Sequence, residues 1–301
     1  MNRKKAIDTH VHFWKIADYA PFKGWFGDKT FLDQDYLPTD LNPHLAACDV
    51  ESAIIVGAAP DSHEQNLWYV DLAEQNETIC AVVGSYTFEN QQLAACLDAF
   101  ADRSAFVGIR TRPAAPPDLW LDDVNAKVGM AELRARGLTL DVLVDHQLLP
   151  AVATFAARYD DVPFIVNHCG LPPFCDGDLT MWSKNMTALA AVPNVVVKYS
   201  SFFLHSYVLP EKSHTTSQIA EMGQNFFGRM SLNCDRNLLQ KAADLLFESF
   251  GVERLLWGSN WPPELIGGTY CDAYDLMLGC AGQLSDSEYN SVFRENAERV
   301  Y

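Results

Sequence analysis

Ala53-Ile54-Ile55-Val56 is an apolar run with no polar interruption. A strand with one wet face alternates apolar and polar side chains. An unbroken run fits a strand buried on both faces, the state of parallel strands covered by helices. Val195-Val196-Val197 and Leu255-Leu256-Trp257 have the same character. Working outward, β-rich runs recur at Ala6–Phe13, Ser52–Ala58, Ile79–Thr87, Phe106–Thr111, Thr139–Val144, Phe164–Cys169, Val195–Ser200 and Leu255–Asn260. Helical patterns lie between them at Leu41–Cys48, Glu64–Gln75, Gln91–Ala101, Lys127–Arg136, Leu148–Tyr159, Met181–Ala191, Asn237–Phe250 and Tyr274–Cys280. A last helix is expected from Asp286, where Ser285-Asp286-Ser287-Glu288 forms a capping-box pattern. Eight βα units predict an α/β chain folded as one (β/α)8 TIM barrel, a single domain over residues 1–301. An open doubly wound sheet is the competitor, but no Gly-x-Gly-x-x-Gly follows any strand.

Composition narrows the partners. Of 301 residues, 49% are hydrophobic, enough for a full core, so disorder is excluded. A formal charge of −17 without any basic run argues against nucleic acid and repels anionic substrates, which therefore need local cations. No apolar run approaches the ~18 residues of a membrane span. Met1-Asn2-Arg3-Lys4-Lys5 leads straight into the first strand instead of an apolar leader, and the eight cysteines show no Cys-x-x-Cys pairing. Together these predict a cytoplasmic protein whose thiols serve as reduced, small hydrophobes. The expected partner is a small-molecule substrate; a homo-oligomer is left open.

Two connections exceed simple turns: Trp14–Pro38 after the first strand and Ser201–Asp235 after the seventh. In a barrel both rise from the C-terminal face, where they cover either an active site or a subunit interface. The second carries His205, Tyr207, His214, Phe226, Phe227 and Met230.

Strand ends are where a barrel keeps its chemistry. His10 and His12 stand two residues apart, so their side chains share one face. They either hold a divalent metal or donate hydrogen bonds to a substrate; the plainer alternative is one core and one surface histidine. His168 ends the sixth strand, and Asn260-Trp261-Pro262 ends the eighth. Three imidazoles suit zinc, with one position left for water. Arg110, ending the fourth strand, suits a carboxylate clamp or a salt bridge. Lys198 reads equally as a site cation or a surface group, and Asp141 as a brace within the barrel wall. Trp14 and Trp261 either wall a ring-shaped substrate or pack in the core. There is no Gly-x-Ser-x-Gly elbow. Cys169 beside His168 reads as a buried inert thiol before a nucleophile.

These pieces, in order, resemble one family. Asp8-Thr9-His10-Val11-His12-Phe13-Trp14 is similar to the D-x-H-x-H-F-W opening of the amidohydrolase-superfamily branch that contains L-fucono-1,5-lactonase and 2-pyrone-4,6-dicarboxylate lactonase. The resemblance continues through Asp35-Tyr36-Leu37-Pro38, Val107-Gly108-Ile109-Arg110, Asp141–Val144 with Gln147, and His168-Cys169-Gly170 with Pro172. It closes with Val197-Lys198-Tyr199-Ser200, Gly258–Pro262 and Asn296–Tyr301, spanning essentially the whole chain. It implies a barrel that hydrolyses lactones of sugar acids or related dicarboxylates. His10, His12 and His168 would bind a zinc-like divalent metal or polarise the carbonyl directly, since members of the branch differ in needing metal. Arg110 would hold a substrate oxygen or carboxylate, with Trp14, Lys198, His205 and Trp261 as further candidate contacts.

The resemblance also implies a general-base aspartate at position 260, where this chain has Asn260. A neutral amide accepts no proton at neutral pH, and general-base assistance contributes about 10²–10⁴-fold. Three explanations stand: another base (Glu264, Asp141, His205 or His214), a barrel that binds without turnover, or an Asp→Asn exchange introduced to trap substrate. Leu171 before Pro172, and Ser201-Phe202-Phe203-Leu204 in place of Gly-Leu, suggest a more apolar ligand than a sugar lactone. The leading expectation is a lactone or cyclic-ester hydrolase. A non-oxidative decarboxylase of a carboxylated aromatic and a non-catalytic ligand-binding barrel are the alternatives.

Overall fold

The computed structural model describes residues 3–18, 31–58, 61–113, 120–206 and 235–301. Strands β1 (Ala6–Val11), β2 (Val50–Val56), β3 (Ile79–Ser85), β4 (Phe106–Thr111), β5 (Thr139–Val142), β6 (Phe164–Val166), β7 (Val195–Ser200) and β8 (Leu255–Gly258) form one sheet in sequence order, every neighbouring pair parallel. The last strand returns to the first: the Asn260 amide donates to the His10 carbonyl at 2.8 Å, and His12 N to the Trp261 carbonyl at 2.9 Å. The (β/α)8 barrel expected from the apolar runs is the observed fold.

Around it run α1 (Pro38–Ala47), α2 (His63–Gln75), α3 (Leu93–Asp98), α4 (Val124–Arg136), α5 (Leu149–Ala156), α6 (Thr180–Ala190), α7 (Phe202–Ser206), α8 (Arg236–Phe250), α9 (Tyr270–Cys280), α10 (Asp286–Asn290) and α11 (Asn296–Val300). The capping box at Ser285 and Glu288 is present. A second one, Thr269 with Asp272, starts α9 at Tyr270, four residues before the apolar pattern begins it. Strands β6 and β8 stop short of their expected ends at Cys169 and Asn260. His168 (φ 51°), Cys169 (φ 55°) and Asn260 (φ 57°) occupy the left-handed region, which no strand continues through.

Ile7, Ile54, Val56, Ala81, Val83, Ile165, Val196 and Leu256 pack as one apolar cluster within the barrel, joined by Ala297 and Tyr301. A larger aromatic-rich core lies between strands and helices. Each fully buried Leu, Ile or Val contributes about 1.5–3 kcal/mol. The expectation of unpaired thiols is corrected at one place: Cys48, after α1, and Cys271, in the first turn of α9, form a disulfide with Cα atoms 5.8 Å apart. They are 223 residues apart in sequence, so only the packing of α1 beside α9 brings them together. No helix among the described residues is long and apolar enough to cross a membrane.

Asp8 clasps the β8–β1 seam. It is fully buried and accepts from His10 N at 3.0 Å, Ser259 N at 2.8 Å and the Tyr270 hydroxyl at 2.8 Å. Burial raises its pKa, and those donors pull it back. Asp8→Ala leaves three buried donors without an acceptor, each worth about 1–3 kcal/mol. Urea unfolding should show a loss of about 3–5 kcal/mol; a change under ~1 kcal/mol would refute the clasp role.

Candidate active site

The register of β1 is irregular between Asp8 and Val11, so Asp8 serves the seam while His10 and His12 turn toward each other. Their Nε2 atoms are 3.2 Å apart. His12 Nδ1 lies 2.6 Å from the Val56 carbonyl, which only accepts; the proton therefore sits on Nδ1 and leaves the Nε2 lone pair available. His10 Nδ1 is buried with no hydrogen-bond partner among the described residues. Glycine at position 258 makes room for this arrangement, because a Cβ there would come within 2.9 Å of His10 Cβ.

His168 joins the pair from β6. Its turn, Asn167–Gly170, is held by Trp182 Nε1 donating to the Cys169 carbonyl at 2.7 Å. The His168 ring lies 4.3 Å from that of His10, and its Nδ1 is 2.9 Å from Ser200 Oγ. Burial pushes the pKa values of His10 and His12 well down. Neighbouring His168 and Lys198 add to this at His10, and Arg110 at His12. Both are neutral imidazoles at neutral pH, the form that ligates metal or donates to a carbonyl oxygen.

The cations stand deeper in the barrel. Arg110 is 1% exposed on β4, and its Nη2 donates to the Gly57 carbonyl. Lys198 is fully buried, 2.8 Å from Asp141 Oδ2. Burial pushes the Lys198 ammonium down and Asp141 draws it back up. Asp141 also accepts from Asn167 Nδ2 at 2.7 Å and the Tyr301 hydroxyl at 2.9 Å. It is thus the brace that the sequence suggests, and Lys198 is interior, not a surface group.

Asn260 lies beside this cluster through its backbone bond to His10. Its Nδ2 donates to Ser201 Oγ at 2.9 Å, and Ser201 Oγ donates to Glu264 Oε1 at 2.7 Å. Glu264 also accepts from the amides of Phe203 (3.0 Å) and Leu204 (3.1 Å). Ser201 was not singled out from sequence. It is 63 residues from Glu264 and 59 from Asn260, and no spacing rule links positions so far apart.

Other candidates fall elsewhere. Trp14 and Trp261 belong to the aromatic core: Trp14 packs on Tyr36 at 5.0 Å, and Trp261 on Tyr36 at 5.1 Å and Phe13 at 5.8 Å. Trp261 also borders a surface cleft of about 580 Å³ with Tyr36, Asp40 and His44. Phe202 packs on Tyr199 and Phe174, and Phe203 clusters with Ile266 and Ala273. Their bulk fills core, so they no longer argue for an apolar ligand. Burial pushes the Cys169 thiol up to about 12, which leaves it unreactive. His205 lies within α7. Tyr207, His214, Phe226, Phe227 and Met230, with residues 19–30 of the first long connection and 207–234 of the second, lie outside the described residues.

Among the described residues, no three His, Cys, Asp or Glu side chains form a ready ligand set, so the three-histidine metal expectation is not matched as a triad. The His10–His12 pair does fit one ion. Two nitrogens at about 2.0–2.1 Å from a tetrahedral zinc lie about 3.3 Å apart, and these two are 3.2 Å apart.

Comparison with known proteins agrees with this fold. The family model described as Amidohydrolase matches residues 7–301. The chain is 28% identical to an L-fucono-1,5-lactonase of Burkholderia ambifaria, covering 93% of this chain and 88% of the relative. It is 29% identical to an L-fucono-1,5-lactonase of Burkholderia multivorans, covering 98% and 95%. A crystal structure of an amidohydrolase from Burkholderia multivorans with bound Zn superposes with a TM-score of 0.82 at 28% identity, over 98% of both chains.

Proposed function

This chain belongs to the amidohydrolase family, and from that premise we propose that it hydrolyses a lactone or related cyclic ester of a carboxylated small molecule. The observation that carries the reading is the cluster of His10, His12 and His168, its first two members neutral, with Arg110 and Lys198 buried nearby in a chain of net charge −17. A divalent ion on His10 Nε2 and His12 Nε2, zinc for its affinity for imidazole, would supply Lewis-acid polarisation of the lactone carbonyl.

The chain's own residues divide the remaining work. The Val56 carbonyl fixes the His12 tautomer and ring orientation. Arg110 anchors the substrate carboxylate, offsetting the repulsion of the acidic surface. Lys198 is paired with Asp141 and holds that carboxylate in place beside Asn167 and Tyr301. Asn260 orients the attacking water beside His10. Attack on the carbonyl and cleavage of the ring C–O bond yield a hydroxy acid.

The test is a panel of neutral and carboxylated lactones, assayed with added zinc and after chelation. Acidification with a carboxylated lactone, at a kcat/KM at least about tenfold above its neutral counterpart, is expected. No turnover of any lactone by a folded, zinc-supplied protein would refute the reading. Release of CO2 from an aromatic acid would replace it with decarboxylation.

A further inference from the structure

Two residues in the left-handed region face each other across the ends of β7 and β8: Ser201 at φ 71° and Asn260 at φ 57°. Their side chains are joined at 2.9 Å, and the chain of bonds runs on to a buried carboxylate, Glu264, which is 4% exposed. Ser201 receives the Asn260 Nδ2 hydrogen, so its own hydroxyl hydrogen points along the 2.7 Å contact to Glu264 Oε1. Among the described residues, the partners of Glu264 are all neutral: the Ser201 hydroxyl, the Asn260 amide and the backbone amides of Phe203 and Leu204. Glu264 thus holds the first amides of α7, and with no cation beside it among the described residues its buried carboxylate is poised to take a proton.

We propose that Glu264, acting through Ser201, takes the proton of the water that Asn260 orients, and so supplies from four residues downstream the carboxylate that position 260 lacks. The proposal rests on the hydrolase reading above. As water oxygen bonds to the lactone carbonyl carbon, the water O–H breaks and its proton passes to Ser201 Oγ. The Ser201 proton moves at the same time to Glu264 Oε1, giving a neutral carboxylic acid. The proton returns by the same path to the ring oxygen when the C–O bond breaks, so the enzyme ends unchanged. Glu264 is a positioning residue in this scheme, since it reaches the water only through Ser201.

The surroundings suit the task. Burial pushes Glu264 up to about 7, close to the working pH of a general base. The Cys169 thiol faces it from the β6 turn and, pushed up to about 12, stays neutral through this range. Helix α9 meets the same region through Ala273 beside Ile266. The ionised form of Glu264 therefore grows as pH rises through about 7, and the rate should rise with it.

The experiment measures kcat and KM from pH 5 to 9 on a lactone the wild type turns over, for wild type, Glu264→Gln, Ser201→Gly and the double variant Asn260→Asp/Glu264→Gln. Thermal melting serves as the folding control. Glu264→Gln and Ser201→Gly should each lose about 10²–10³-fold in kcat, keep KM within about threefold, and lose the acidic limb near neutrality. The double variant should regain at least about tenfold over Glu264→Gln, which no structural role for Glu264 explains. Glu264→Gln or Ser201→Gly at wild-type rate with the limb intact overturns the inference. So does failure of the double variant to recover activity while it melts like wild type. If Glu264→Gln does not fold, Ser201→Gly decides alone. A wild type inactive on every lactone overturns the hydrolase reading and this inference together, a result distinct from an active wild type indifferent to Glu264.

Discussion

Replacing His12 with alanine should lower kcat/KM for a lactone substrate by about 10³-fold or more. His12 Nε2 is the best-defined ligand atom in the site, because the Val56 carbonyl fixes the proton on the opposite ring nitrogen. Removing one preorganised group at a polarised carbonyl typically costs about 10²–10³-fold, and loss of an ion shared with His10 would add to it. Zinc content of the purified variant should fall in parallel. Thermal melting is the control for folding, because His12 is buried and bonded to the Val56 carbonyl. A variant within tenfold of wild type would remove His12, and the His10–His12 pair with it, from the chemistry.

Lys198→Met should destabilise the protein by about 3–5 kcal/mol in urea unfolding at pH 7. Lys198 and Asp141 are both fully buried at 2.8 Å, so no solvent screens the carboxylate left behind. Tyr301 and Asn167 still donate to Asp141, but neither carries charge. The double variant Lys198→Met/Asp141→Asn should recover a large part of the loss, because it removes both charges together. Additive losses would show that the two residues do not act as a pair.

Much of this protein is legible locally. Apolar runs such as Ile54-Ile55-Val56 declare strands buried on both faces, and each of the eight appears where its run lies. Helix starts follow the same logic at Ser285, where a local capping box is sufficient. The histidine pair is legible for the same reason, since two residues on one strand end share a face. Misplaced ends have a common cause. His168, Cys169 and Asn260 leave the strand conformation through positive φ angles that their residue types do not require, and tertiary contacts impose them.

Trp14 and Trp261 show the limit from the other side. An aromatic residue after a strand end reads equally as substrate wall or core, and only the tertiary structure shows both packed on Tyr36, with Trp261 also bordering a surface cleft. Cys48 and Cys271 likewise carry no spacing signal across 223 residues.

The sequence by itself determined the barrel, the three histidines and the anomaly at Asn260, because strand patterning and residue chemistry act over a few neighbouring positions. Only the tertiary structure decided that Lys198 is paired inside the barrel with Asp141, that Asp8 clasps the seam, and that Asn260 leads through Ser201 to Glu264. Those facts depend on distances between segments far apart in the chain, which closure of the sheet sets and no local pattern encodes.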